Sequence, residues 1–380
     1  MFSCTLRLLL IFGVMLLTSP LHAEGDWEIT PESEAALKRG LHWLAANQGP
    51  EGNWGSNDLG LVGMGALAFL AAGHAPGRGE YGEVVQRALD YIANNARPSG
   101  LLNITSNAQR DMYNHGLATF VLGQAHGMTT VRDQRMSKVL DRALQLIANT
   151  QAEDGGWDYQ ARRQPHGHDL SLVVMQAKAL RSAMDSGLDV HREVIDSAIE
   201  SVRHHYSPLN GRRDLADNEQ RKLPGQFTYS RGGGGGSIAM AAAGVVCLQE
   251  FGENSDWRIA KNMAVIRAAV EKTPKNTSRN GIMPFDSYTF YYVAQALYQV
   301  GGEDWQACYP IMRDHLVGTQ VLEANSPSKH GSWVDRGAQG GGRVGGTAGQ
   351  MYATAVSCFV LAIPNRFLPI LQEGEIQSLK

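Results

Sequence analysis

The sequence predicts an all-α fold, an (α/α)6 toroid built from six helical hairpins arranged as an inner and an outer ring. Three observations carry that expectation. One amphipathic helical pattern recurs along the chain, a second and more apolar helix follows each copy, and no β pattern of comparable strength occurs.

The recurring pattern is clearest in 80–96, EYGEVVQRALDYIANNA, and 135–151, RMSKVLDRALQLIANTQ. In the first, Tyr81, Val84, Val85, Ala88, Leu89, Ile92 and Ala93 fall at i, i+3, i+4, i+7, i+8, i+11 and i+12, one stripe of a helix with a solvated back. The second repeats that stripe and shares Ala-Leu-x-x-Ile-Ala-Asn in register. Segments 32–48 and 191–206 fit with small changes, and 255–273 and 303–320 are weaker copies. Between them lie 59–73, 112–125, 170–180, 237–251, 287–300 and 347–363, apolar nearly all round and rich in small residues. A helix apolar on every side is enclosed on every side. A closed ring supplies that enclosure better than an open solenoid, because each inner helix then has two inner neighbours and outer helices behind it.

Two outer helices end in matching clusters, Gln48/Gly52/Trp54 and Gln151/Gly155/Trp157, and Gln320/Gly331/Trp333 is a third with a longer insert. Glycine past a helix end supplies a left-handed cap, tryptophan covers apolar area, and the glutamine amide can bond loose backbone groups. These residues resemble the Q-x-x-x-G-x-W repeat of squalene and oxidosqualene cyclases, whose hairpins are similar to those of protein prenyltransferase β-subunits. The resemblance spans about 32–363 and implies the terpenoid cyclase-like toroid. Their chemistry does not carry over. The Asp-x-Asp-Asp acid of the hopene-type cyclases, the Asp-x-Cys zinc ligands of the prenyltransferases and the Gly-Cys-Gly-Glu-Gln thioester of complement-like toroids are all missing.

The first residues, Arg7 followed by the apolar run Leu8 to Leu17 and then Leu21-His22-Ala23, read as a signal peptide over 1–23, with one toroid domain over 24–380. That run is too short for a stable membrane span, so the expected setting is periplasmic or secreted. A net charge of −3 with no basic stripe argues against nucleic acid as a partner. Cys247, Cys308 and Cys358 are too few and too odd for a disulfide framework and read as buried thiols.

Chemistry is expected where the inner helices begin. Asp58, Asp111, Asp169 and Asp286 each precede such a helix. Aspartate there caps the helix, and at the rim of a cavity it is also a candidate acid. The densest polar cluster, QPHGHDLS at 164–171, places His166, His168 and Asp169 at one start, with Tyr113 and His115 on the neighbouring inner helix. Asp169 or Asp286 is the expected proton donor, His168 and His115 its tuning partners, and Asp111 a possible second carboxylate. The histidines could hold a metal, but loop roles outweigh that reading, so neither metal nor cofactor is assigned. Glycine-rich loops at 230–237 and 336–349 lack a P-loop ending; rim geometry explains them, with an anion site beside Arg231 or Arg343 as the sharper alternative. Tyr229, Tyr288 and Tyr291 are candidates for lining a cavity. The leading expectation is a central cavity for an apolar, isoprenoid-like small molecule, with turnover left open. The alternatives are a glycan cleaved by paired carboxylates and a non-catalytic scaffold whose rim binds a protein.

Overall fold

The computed structural model describes residues 27–129, 133–208, 211–212, 214–233, 236–273, 285–322, 328–334 and 346–372. The leader segment 1–23 and Arg343 lie outside these residues.

Thirteen helices are present among them: α1 Pro31–Ala46, α2 Leu59–Ala71, α3 Gly82–Asn94, α4 Asp111–Gly127, α5 Gln134–Thr150, α6 Leu170–Asp185, α7 Arg192–His204, the one-turn α8 Asp217–Gln220, α9 Ile238–Glu250, α10 Trp257–Glu271, α11 Ser287–Val300, α12 Gly302–Thr319 and α13 Gly346–Ala362. Helices α2, α4, α6, α9, α11 and α13 pack side to side in that order, and α13 returns to α2, closing the inner ring. The outer helices α3, α5, α7, α10 and α12 each pack on the inner helix before them, and α1 packs on α13. All thirteen residues of α2 are buried, while α5 buries one stripe. The two helix types therefore take the ring positions that their patterning requires.

The tryptophan clusters build the outer ring. Gln48 Nε2 donates to Gly52 O (3.1 Å) and to Val84 O of α3 (2.8 Å). Gln151 Nε2 donates likewise to Gly155 O (3.0 Å) and Val194 O of α7 (2.9 Å), and Gln320 Nε2 to Gly331 O and Ala36 O (both 2.9 Å). Each indole N–H returns to the preceding helix: Trp54 to Leu44 O, Trp157 to Ile147 O and Trp333 to Leu316 O, at 2.7–2.9 Å. The third copy thus ties α12 to α1 across the chain ends. A degenerate fourth copy, Ala96/Gly100/Leu102, escapes the sequence pattern. Gly100 sits at φ +90 against Arg142 of α5 as Gly155 sits at φ +82 against Ser197 of α7, but alanine and leucine replace the glutamine and tryptophan.

One feature departs from the all-helical expectation. Between α7 and α9 a short antiparallel pair, β1 Tyr206–Pro208 and β2 Gly225–Phe227, carries α8 at its tip. Three-residue strands are too short to leave an alternation in the sequence.

Partway down the inner ring, the described side chains pack on one another. Tyr292 of α11 donates to Met175 Sδ of α6 (3.5 Å), and Tyr291 packs on Phe359 of α13 with ring centres 5.2 Å apart. Lys178, Phe120, Tyr291, Tyr292, Gln295 and Phe359 are each at most 1% exposed.

Candidate functional site

Asp169 caps α6 and is buried. Its Oδ1 accepts from Ser171 N (2.9 Å), Leu172 N (3.3 Å) and the Ser171 hydroxyl. Its Oδ2 accepts from the Tyr159 hydroxyl and from His168 Nδ1 (3.0 Å). Tyr113 of α4 bonds Ser171 Oγ, and Tyr229, two residues past β2, bonds the Tyr159 hydroxyl. Side chains from α4, the α5–α6 loop, α6 and the β2–α9 loop therefore meet at one mouth of the ring.

The direction of every proton in this network follows from the carboxylate at its centre, which only accepts. Ser171 and Tyr159 spend their single protons on Asp169. Tyr113 must then donate to Ser171, and Tyr229 to Tyr159. His168 places Nδ1–H on Asp169, and its ring is 52% exposed. Within this network the hydroxyl protons therefore run towards Asp169. Burial, together with hydrogen bonding to Asp169 and Tyr229, pushes the Tyr159 phenol well above its usual range, so it stays protonated.

With five donors on it, Asp169 is the acceptor hub of the mouth. The group it positions is His168. His115 does not join them. Its Nδ1 accepts from Leu102 N (3.1 Å) and its Nε2–H donates to Ala143 O of α5 (3.0 Å), so it pins the outer ring. Asp111 is the first residue of α4 and not its cap; it accepts from Asn103 Nδ2 (2.7 Å) and Ala161 N (3.4 Å). Asp58 and Asp286 do cap, at Leu61 N (3.3 Å) and Thr289 N (2.8 Å). Tyr288 and Tyr291 are buried, and both rings pack against Tyr292. Arg231 pairs with Asp154 and with His204 Nδ1 (2.8 Å). Asp154 also takes Gly156 N (3.1 Å), Gly167 N (2.8 Å) and His166 Nδ1 (3.3 Å). Burial opposes the Asp154 charge, yet those amides and cations outweigh it and hold its carboxyl below the usual range. No three His, Cys, Asp or Glu side chains gather as metal ligands among the described residues.

Two groups escaped the sequence reading. Tyr159 and Ser171 complete the network; TQAEDGGWDY and HDLS contain them, but only the fold brings Tyr159 over Asp169. Lys178 lies nine residues into α6, roughly 13 Å below the mouth at 1.5 Å per residue. It pairs with Glu250 of α9 (3.2 Å) and Gln295 of α11, with its ammonium 4.6 Å from the Phe120 ring.

His115 and His205 give the fold a defined acid limit. Burial lowers both to about 4 from 6.5. Each is then neutral in the folded state and takes up a proton on unfolding below 6.5. Their stabilisation is complete above pH 6.5 and disappears as pH falls towards 4, by roughly 3 kcal/mol for each histidine. Urea titrations at pH 7.5, 5.5 and 4.5 should show a falling midpoint, with His115→Gln flattening part of the slope.

No protein-family model matches the chain, and no curated protein matches its sequence. Solved structures do. A type II terpene cyclase from Scytonema, MstE, bound to geranylgeranyl dihydroxybenzoate, is 13% identical over 89% of this chain and 98% of that one, with a TM-score of 0.53. The GH76A α-1,6-mannanase from Salegentibacter sp. HEL1_6 is 11% identical over 90% and 100%, TM-score 0.56. A possible GH105 family member from Salmonella enterica is 14% identical over 93% and 98%, TM-score 0.52. The fold is a terpenoid cyclase-like α/α toroid. At these identities the likeness establishes architecture and leaves the chemistry to the residues.

Proposed function

We propose that this protein binds a hydroxyl-rich, glycan-type ligand at the mouth of the toroid. The observation that carries the reading is the one-way proton chain, Tyr113 to Ser171 to Asp169 and Tyr229 to Tyr159 to Asp169. It gathers hydroxyls and a half-exposed His168 ring at one mouth, polar partners that suit a polyol. Tyrosine faces beside it suit a sugar ring. Of the known proteins that share the fold, one was solved with α-1,6-mannotetrose and another with a prenylated aromatic acid. Met175, Tyr291, Tyr292 and Lys178 are buried deeper in the ring, which favours a ligand held at the mouth. The leader-like segment 1–23 supports an exported setting in which polysaccharide is accessible. The Asp169–His168 pair is the place where a proton can move: Asp169 orients the ring and Nε2 faces outward chemistry as a base.

Calorimetric titration against a panel of neutral oligosaccharides tests the proposal. Tyr229→Phe removes one hydroxyl of the network and should weaken binding about threefold to tenfold, one hydrogen bond's worth, without changing the unfolding midpoint by more than a degree or two. Binding to no saccharide, together with capture of a protein partner on the same face, would replace this reading with the scaffold one.

A further inference from the structure

Beside the mouth, between α7, α10 and the β1–β2 insertion, lies a groove of about 760 Å³. Its lining carries as many arginines as carboxylates, and most of them pair with one another. Arg203 donates to Asp256 Oδ2 (3.0 Å), Glu200 Oε1 (2.7 Å) and Glu253 Oε2 (2.7 Å). Arg258 pairs with Asp217 (2.7 Å) and Asp256 (3.1 Å). A charged ligand would have to break one of these pairs. An uncharged hydroxyl need not. A carboxylate has more lone pairs, and a guanidinium more N–H groups, than these contacts use, and one hydroxyl can donate to the first and accept from the second. The half-buried indole of Trp257 lies on the same wall and supplies apolar surface for a sugar ring. The lining therefore suits a neutral polyol better than an ion.

Groove and mouth are joined by bonded side chains. Arg231 lines the groove and pairs with Asp154, and Asp154 holds His166 Nδ1 at 3.3 Å. His166 borders a second depression of about 380 Å³ together with His168, the ring that Asp169 orients. Mouth, depression and groove therefore follow one another over the surface. His166 is 80% exposed and Asp217 62%, so a chain can leave the protein beside either. Each end of this track has aromatic surface, His168 against Tyr159 (ring centres 4.3 Å apart) at the mouth and Trp257 in the groove. We infer that the groove is an outer subsite for an uncharged sugar residue, so that the ligand is a stretch of neutral polysaccharide lying along the track and not a single sugar. This rests on the mouth being a saccharide site.

The test uses the full chain and uncharged oligosaccharides from disaccharide to hexasaccharide, built of the sugar that the neutral panel identifies, read by calorimetry. The hexasaccharide should bind about tenfold tighter than the disaccharide. Trp257→Ala should remove most of that gain and leave the disaccharide unchanged, whereas Tyr229→Phe should weaken every length alike. Trp257 packs on Tyr206, with ring centres 5.0 Å apart, so a second variant guards against a folding defect. Glu253→Ala truncates a partly exposed side chain whose partner Arg203 keeps Asp256 and Glu200, and should weaken the hexasaccharide about threefold with the disaccharide again unchanged. Affinity that is flat with length, or a gain with length that both variants leave intact, would overturn the groove and leave the mouth standing. A carboxylate-bearing hexasaccharide that bound tighter than the neutral one would overturn the assignment to an uncharged sugar. Binding of no saccharide at any length would remove the mouth reading and the subsite with it.

Discussion

Lys178→Ala is expected to lower the free energy of unfolding by about 3–5 kcal/mol, the cost of leaving a buried charge without its partner. Lys178 and Glu250 are each 1% exposed, and Glu250 also accepts from Gln299 Nε2 (2.8 Å). Burial pulls the Lys178 ammonium below its ordinary range, against the pull of Glu250. Removing the lysine strands the buried carboxylate among α6, α9 and α11. The double replacement Lys178→Met with Glu250→Leu removes both charges and fills the space, and should recover most of the loss. Urea unfolding of the three proteins decides it. A Lys178→Ala protein within 1 kcal/mol of wild type would mean that the centre is wetter than the packing around Tyr291 and Gln295 implies.

Trp157→Ala is expected to cost about 3–5 kcal/mol, the range for emptying a large aromatic site in a core. Trp157 is fully buried, and its indole N–H holds Ile147 O at 2.9 Å, so the change opens a cavity and frees a helix-end carbonyl. Gly155→Ala should be severe for a different reason. Its φ of +82 costs an L-residue about 1–2 kcal/mol, and the new Cβ would stand 1.9 Å from Ser197 O of α7. Backbone cannot move aside as a flexible side chain can, so α7 must shift. Gly79→Ala, also at positive φ (72) but in open space, isolates the first term from the second. Thermal unfolding should rank Trp157→Ala and Gly155→Ala well below Gly79→Ala; equal losses in the two glycine variants would mean that the contact with α7 carries no energy.

How much of this was legible in the sequence depends on the range of the interaction. The stripe in 80–96 and 135–151 is local, since its period comes from the helix itself, and it placed α3 and α5 to within two residues. Glycines 52, 155 and 331 were readable as caps for the same reason. What they cap against was not: Gln48 reaches Val84, and Gln320 reaches Ala36 from the other end of the chain. The candidate site shows the same limit. Asp169 with His168 is a neighbouring pair and could be picked out from HDLS. Tyr159 and Tyr229 join it only after the α5–α6 loop and the β2–α9 loop fold over the mouth. His115 looked like part of that group by its place on α4, but the ring bonds α5 and the 102 amide instead. The helical period puts it on the helix, and only the neighbours decide which way its chemistry is spent. Lys178 was invisible because the stretch LSLVVMQAKAL reads as apolar, and its partner is 72 residues away.

The central claim is that a polar mouth over a packed centre takes a hydroxylated ligand. Native mass spectrometry of the purified protein, with lipid extraction of the same sample and titration with oligosaccharides, tests it most directly. The account predicts no co-purifying lipid and a saccharide adduct that weakens in Tyr229→Phe. An isoprenoid or other apolar molecule released from the folded protein, with no saccharide adduct, would contradict it.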